Sequence, residues 1–404
     1  MLFRFGLYGF LKNQKYYEPF LLLVFLEKGL SFFDIGLLIG FRAVCINLLE
    51  VPSGALADLY GRRRAMLLSF SAYLASFALF TYAETLQALF AAMSLFALGE
   101  TFRSGTHKAM IFDWLTEQGR SHEKARVYGI TRSWSQLGSA TSVLVAATIV
   151  LWQQDYSQVF LYSMVPYSVG LLNFLGYPKN LDGSRAQERS LKRVAEHLLN
   201  TLRDSWHRPR LRALLTESMA QRGTWEVGKD YLQPVLQQFA LALPMFLALE
   251  GQDRVAILVG VTYFVLHLLS AATTRQAHHL RDLCGGNARF TFGVFLLTGV
   301  AYALLWSALQ QGLLVLVVAL FVALAVLQNA WKPIFLERVD ETSEAAMGAT
   351  VLSLDQQAKA LFVAVMAPIL GKLVDLSGLV AVGALGTVTS LLIVASLAKS
   401  NPRP

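Results

Sequence analysis

Apolar stretches of about 20 residues, separated by short polar turns, recur along the whole chain, and that is the length an α-helix needs to cross a bilayer. The pattern predicts twelve spans, at 3–27, 33–56, 65–83, 87–115, 127–151, 158–177, 211–241, 254–274, 288–309, 312–336, 346–373 and 379–398. They form two groups of six, giving an N-terminal bundle over 1–177 and a C-terminal bundle over 211–404. The polar segment 178–210 divides them and carries Lys179, Arg185, Arg189, Lys192, Arg193, Arg203 and Arg208. Within it, residues 191–202 space their apolar side chains near the helical period. Two readings stand for that stretch: a helix lying on the membrane surface, and a solvated helical connector.

Composition agrees with an all-α integral membrane protein. Of the 404 residues 55% are hydrophobic and only 15% charged, whereas a soluble domain carries about a quarter charged residues. The net charge of +8 is therefore informative by location, and no nucleic-acid partner is expected. One set of connections holds Arg62, Arg63, Arg64, Arg120, Lys124, Arg126, the central segment, Arg275, Arg281, Arg289, Arg338, Lys399 and Arg403. The alternate set is mainly acidic or neutral: Glu27 with Lys28, Glu84, Asp155, Glu250, Gln310 and Asp375. By the positive-inside rule both termini are expected in the cytoplasm. The N-terminal run lacks a small-residue cleavage site and is read as a retained first span. Cys45 and Cys284 stand far apart in no metal-like or redox-like spacing, so no disulfide, metal or cofactor is expected.

An ionisable group at mid-bilayer costs several kcal/mol unless paired or wetted, and this chain places many there. The first span carries Asn13, Gln14, Lys15 and Glu18 near its middle, with Tyr16 and Tyr17 between. Arg42 and Glu50 roughly share a face of the second. In the fourth, Glu100, Arg103 and His107 form one stripe with Lys108 on its flank; in the fifth, Tyr128, Arg132, Ser135, Ser139 and Ser142 do the same, beside Trp134. The seventh carries Arg222, Trp225, Glu226, Lys229 and Gln233 before Pro234, the tenth Asn329 and Lys332, and the eleventh Asp355, Gln356 and Lys359. Permanent ion pairs would explain each charge singly. They would not require stripes of Ser, Tyr and Trp alongside, and a water-filled central cavity explains both.

The residues expected to line that cavity and meet a solute are Lys15, Tyr17, Arg42, Arg103, His107, Arg132, Trp134, Trp225, Lys229, Asn329, Lys332 and Gln356. Glu100, Glu50, Glu18 and Glu226 are the candidate proton carriers. The N-terminal group has a cationic excess, and arginine forks suit carboxylate or phosphate groups. There is no His-Glu-x-x-His, no Gly-x-Ser-x-Gly and no phosphate-cradling glycine loop, so an enzyme is not expected.

Between the second and third spans the chain reads Gly54-Ala55-Leu56-Ala57-Asp58-Leu59-Tyr60-Gly61-Arg62-Arg63-Arg64, where the two glycines let the chain turn sharply and Asp58 can cap a helix start. This resembles the signature loop of the major facilitator superfamily (MFS) of secondary transporters, with Gly54, Leu56, Ala57, Asp58, Gly61, Arg62 and Arg63 matching and Leu59 departing at a usually basic position. The resemblance implies two pseudo-symmetric six-helix bundles that alternate access to a central cavity, with spans one, two, four and five facing it in the first half. It implies a gate built on Gly54, Asp58, Gly61, Arg62, Arg63 and Asp113. Asp58 is expected to face a helix terminus of the second half, and Asp113 to pair with a signature arginine. A degenerate repeat of the loop is expected near Arg281, Asp282, Gly285, Gly286 and Arg289.

On this footing the chain is expected to be a multi-pass protein of a bacterial inner membrane, a monomer in the lipid bilayer. It would move a small anionic or zwitterionic organic solute, coupled to protons. An efflux antiporter for drugs or organic cations is the alternative. The fifth span has Gly129 and Gly138 but not the Gly-Pro pair that many such antiporters carry. A non-transporting receptor on the same fold is the alternative of another class.

Overall fold

A computed structural model describes residues 1–182, 209–243, 249–342 and 348–400. Most of the basic central segment, including 191–202, lies outside them, as does Arg403. Among the described residues there is helix and turn but no strand. The helices are α1 Leu2–Leu11, α2 Leu21–Glu27, α3 Phe32–Tyr60, α4 Arg62–Tyr82, α5 Leu86–Arg103, α6 Thr106–Glu117, α7 Lys124–Gln153 and α8 Gln158–Leu175. They continue with α9 Pro209–Gly228, α10 Leu232–Ala242, α11 Gly251–Leu283, α12 Asn287–Gln310, α13 Leu314–Thr342, α14 Gly348–Ser377 and α15 Val380–Ser400.

Eight of these, α3, α4, α7, α8, α11, α12, α13 and α14, contain stretches long and apolar enough to cross a membrane. The other four predicted spans explain themselves. The last is α15, whose apolar part is the shorter Val380–Ala395. The first, fourth and seventh are each two helices end to end, where the sequence predicts single spans and limits continuity only in the seventh, at Pro234. The breaks fall at residues 12–17 with the 3-10 turn Glu18–Phe20, at 104–105, and at the 3-10 turn Lys229–Tyr231. These are the places where intramembrane polar residues crowd together. Backbone in mid-membrane leaves the helix only where protein or a wetted cavity satisfies it.

The contacts divide the chain into two compact units, Met1–Lys28 with Phe41–Glu196, and Gly29–Gly40 with His197–Pro404. Helix α3 thus begins in the second unit and continues in the first.

The first unit is built around aromatics. On α4, Phe70, Tyr73, Phe77 and Phe80 recur at helical spacing and are all buried. They meet Phe160, Tyr167 and Phe174 of α8, which are also buried and lie two turns apart from one to the next. Tyr73 sits edge-on to Tyr167 at 5.0 Å, and Phe80 stacks on Phe160 at 4.7 Å. Small residues let α4 and α5 approach closely: Ser69 Oγ donates to the Gly99 carbonyl at 2.5 Å and Ser76 Oγ to the Ala92 carbonyl at 2.8 Å. At the far end of α4, Lys28 Nζ donates to the carbonyls of Thr81 and Ala83 at 3.2 and 3.0 Å. Burial holds that ammonium below its ordinary pKa, with the carboxylates of Asp155, Glu27 and Glu84 opposing.

The second unit packs α9 on α14, α12 on α15 and α11 on α13. Its core includes Leu211, Phe295, Trp331, Ile334 and Phe335, and Trp331 stacks on Phe335 at 4.8 Å. The start of α3 is fastened here by Asp375 of α14, which accepts from the Phe32 N–H at 3.0 Å and the Phe33 N–H at 2.9 Å. A carboxylate on two unsatisfied N-terminal donors typically contributes about 1 kcal/mol. Asp375→Ala is expected to weaken this anchor by about that amount. Hydrogen exchange should then show faster exchange at the Phe32 and Phe33 amides, with α4 unaffected.

Candidate functional site

The signature stretch differs from its expected form. Residues 54–60 are helical, as the last turns of α3, and Gly54 makes no turn. Only Gly61 turns the chain, at φ 109°, a backbone conformation that glycine adopts without strain. Nor does Asp58 cap the start of α4; its carboxylate accepts from Arg62 Nε at 3.0 Å. The cap comes from Asp182, whose Oδ1 accepts the Arg63 backbone N–H at 3.0 Å. Sequence reasoning missed Asp182 because it stands 119 residues from Arg63, in a segment of net positive charge. Arg63 reaches the carbonyls of Phe174 and Leu175 at 3.1 and 2.9 Å, closing the end of α8.

Arg62 also pairs with Asp113 of α6. The degenerate repeat shares the positive-φ glycine before a helix but not the placement of the arginine, which here precedes the glycine, in the last turn of α11. Gly286, at φ 114°, precedes α12, and Arg281 pairs with Asp282 at 2.7 Å and with Glu337 of α13 at 2.6 Å. Arg62 is well covered while Asp113 is half exposed, which limits the strength of their pair. A double-mutant cycle with Arg62→Ala and Asp113→Ala is expected to give a coupling of about 0.5–1 kcal/mol.

The break in the fourth span is where the chemistry gathers. Helix α5 ends with Ser104 in extended conformation, and Gly105 at φ 72° starts α6 in a new direction. Around this corner the first unit holds a cavity of about 240 Å³. Tyr8, Gly9 and Lys12 of the first span line it, with Glu100, Arg103, Ser104, Gly105, His107 and Lys108 of the fourth. The fifth contributes Tyr128, Thr131, Arg132 and Ser135. Four predicted site residues therefore meet here: Glu100, Arg103, His107 and Arg132.

Glu100 and Arg103 form an ion pair. Tyr73 completes it, donating its hydroxyl to Glu100 Oε2 at 2.7 Å and accepting from Arg103 Nε at 3.3 Å. His107 is buried, its ring against Tyr8 with centroids 3.7 Å apart and its Nε2 3.3 Å from the Tyr177 hydroxyl. Lys12 lies over the Tyr8 ring at 5.4 Å, and Lys108 lies 5.4 Å from the rings of both Phe112 and Tyr128. Lys12, Lys108 and Arg132 form no ion pair with any described residue. One carboxylate thus faces four cations, and it is already engaged.

Other sequence candidates in this unit lie outside this cavity. Tyr17 is buried in the aromatic core, stacked on Phe160 at 5.5 Å, because the break turns it inward. Trp134 packs edge-on against Phe3 at 5.8 Å and Phe10 at 6.5 Å, on the side of α7 that meets α1. Lys15 pairs with Glu18 at 3.4 Å, Arg42 lies over Phe96 at 5.9 Å, and the Glu50 carbonyl accepts from Ser53 Oγ at 3.0 Å. None of these lines the cavity. Conversely, Lys12 and Tyr73 were missed. Lys12 stands at the edge of the polar cluster, and Tyr73 is one ring in an apolar run; only the fold aims its hydroxyl at Glu100.

In the second unit, Glu226 and Lys229 pair at 2.9 Å beside the break in the seventh span, and Trp225 is half-buried on the same helix. Arg222 pairs with buried Asp355 and donates to Gln356 at 3.4 Å. Asn329 donates to Ser270 at 3.1 Å, and Lys332 is exposed.

The sequence matches the family described as Major Facilitator Superfamily over residues 13–358. A curated relative, the uncharacterized MFS-type transporter YxaM of Bacillus subtilis (strain 168), is 22% identical over 258 residues. That match spans 60% of this chain and 60% of the relative. Among solved structures, the nucleoside transporter NupG superposes with a TM-score of 0.77 at 12% identity, covering 98% of each chain. A POT family transporter in complex with 5-aminolevulinic acid gives 0.73 at 16%, over 99% of this chain and 96% of that one. The peptide transporter POT in complex with sulfate gives 0.72 at 15%, over 98% and 94%. At such identities the likeness is one of fold, and it agrees with twelve spans in an all-α membrane protein. With the family match covering most of the chain, this protein belongs to the Major Facilitator Superfamily of secondary transporters.

Proposed function

We propose that this transporter moves a small organic anion or zwitterion by alternating access, coupled to protons, and that the first-unit cavity is where the solute binds. The observation that carries the reading is the cavity's charge: Lys12, Lys108 and Arg132 line it without an ion-pair partner, beside an Arg103 that Glu100 already neutralises. Unmatched cations in a confined space repel one another and are relieved by an anion. An organic cation would add to the repulsion, which disfavours efflux of cationic drugs. Of the POT family neighbours, one was solved in complex with 5-aminolevulinic acid and another with sulfate.

In this reading Glu100 is the proton carrier. A proton on Glu100 frees Arg103 for solute, and loss of solute lets the pair re-form, so both share one charge balance. Asp58, Arg62, Arg63 and Asp113 form the cytoplasmic gate, and the chain works as a monomer in a bacterial inner membrane with both termini in the cytoplasm. The test is reconstitution in liposomes. An imposed proton gradient should drive uphill accumulation of an organic anion, and collapse of the gradient by an uncoupler should release it. Accumulation of organic cations in place of anions would refute the reading.

A further inference from the structure

We infer that the solute is a small dianion, a dicarboxylate or a phosphate monoester, and not a zwitterion. The inference rests on the transport reading above and narrows it. The cavity lining carries four basic side chains, Lys12, Arg103, Lys108 and Arg132, against a single carboxylate. A zwitterion brings an ammonium that needs an acid. Within the lining only Glu100 could serve, and it is held by Arg103 and by the Tyr73 hydroxyl. To seat an ammonium there, Arg103 would have to be displaced into a space already crowded with Lys12, Lys108 and Arg132. A dianion needs no acid: its charge meets Lys12, Lys108 and Arg132, which have no ion-pair partner among the described residues, and Arg103 joins them when a proton on Glu100 releases it.

Backbone geometry adds to the field. Helix α6 starts at the cavity with Gly105 as its cap residue and no side chain closing its first turn. Gly105, His107 and Lys108 all line the space. A bare helix start carries partial positive charge and favours an anion. Hydrogen-bond partners other than cations are present as well, in Ser104, Tyr128 and Ser135. The volume of about 240 Å³ exceeds the roughly 150 Å³ of a protein cavity that takes up benzene, which suits a small organic solute.

Purified protein in detergent at pH 7.5 and fixed ionic strength would be titrated by calorimetry with a matched series. The four-carbon probes are succinate, butyrate and 4-aminobutyrate, and ethyl phosphate is the tetrahedral dianion. Succinate, ethyl phosphate or both should bind about tenfold or more tightly than butyrate and 4-aminobutyrate, as charge-assisted bonds to more than one cation require. Which of the two dianions binds better distinguishes a dicarboxylate from a phosphate ester. Lys12→Gln, Lys108→Gln and Arg132→Gln should each weaken the dianion at least about fivefold while changing butyrate less. Lys108→Arg, which keeps the charge, should retain dianion affinity and so controls for misfolding.

Binding of 4-aminobutyrate equal to or tighter than that of both dianions would overturn the inference. So would Gln variants that are folded and bind the dianion unchanged. If butyrate or 4-aminobutyrate is also accumulated in liposomes on a proton gradient, transport stands and only the dianion assignment fails. If no anion in the series binds and none is accumulated, both fail.

Discussion

Glu100→Gln protein should bind solute at least as tightly as wild type, with affinity no longer dependent on pH, and should fail to concentrate it on an imposed proton gradient. The physical reason is local. Glu100 holds Arg103 through an ion pair and holds Tyr73 through a hydrogen bond at 2.7 Å. Glutamine keeps the shape and one acceptor but drops the charge, which mimics the protonated acid. Arg103 is then permanently available to an anion, and nothing remains to re-form the pair when solute leaves. Arg103→Ala should have the opposite effect on binding. Losing a desolvated, hydrogen-bonded cation costs about 2–5 kcal/mol, or a weakening of at least roughly 30-fold. Arg103→Lys should recover part of it, since charge returns without the planar fork. Equilibrium binding from pH 5.5 to 8.5, beside proton-driven uptake in liposomes, separates these outcomes. Uphill accumulation by Glu100→Gln with unchanged pH dependence would make Glu100 a structural partner and redirect attention to Glu18, Glu50 and Glu226.

Hydropathy alone carries the twelve spans, because the bilayer imposes one length on every crossing helix. It does not carry the three breaks. In the first, fourth and seventh spans the sequence shows polar residues within an apolar length, as a continuous helix with a wet face would. The choice between the two is made by neighbours: Gln14 donates to the Gly138 carbonyl at 3.1 Å and to Thr141 at 2.9 Å, which fixes the first break against α7. The stripe of Glu100, Arg103 and His107 could be read from helical spacing, although the stripe turns a corner at Gly105. That corner is why Lys108, which spacing places on the flank, lines the cavity with the others. Tyr73 and Asp182 were beyond reach for another reason. Each acts across a long stretch of chain, and nothing in its own neighbourhood marks it.

Charges inside a membrane protein therefore divide by what surrounds them, and a pair removed from the cavity should behave as structure. Arg338 of α13 donates to both oxygens of Glu217 on α9, at 2.5 and 3.1 Å, and to Thr291 at 3.2 Å. Glu217 is buried, and neither residue lines the cavity. Removing one partner leaves the other charge buried without its counterion, which typically costs 3–5 kcal/mol, whereas replacing both with apolar or neutral groups is often close to neutral. Arg338→Met is accordingly expected to destabilise the second unit by about that amount and to lower the melting temperature strongly. The double variant Arg338→Met with Glu217→Gln should regain most of the loss. Once folded, it should transport at near wild-type rates and with wild-type pH dependence. Thermal unfolding in detergent checks the first half of this expectation and liposome uptake the second. A double variant that is stable but has lost proton-driven uptake would move this pair out of the scaffold and into the mechanism, beside Glu100 and Arg103.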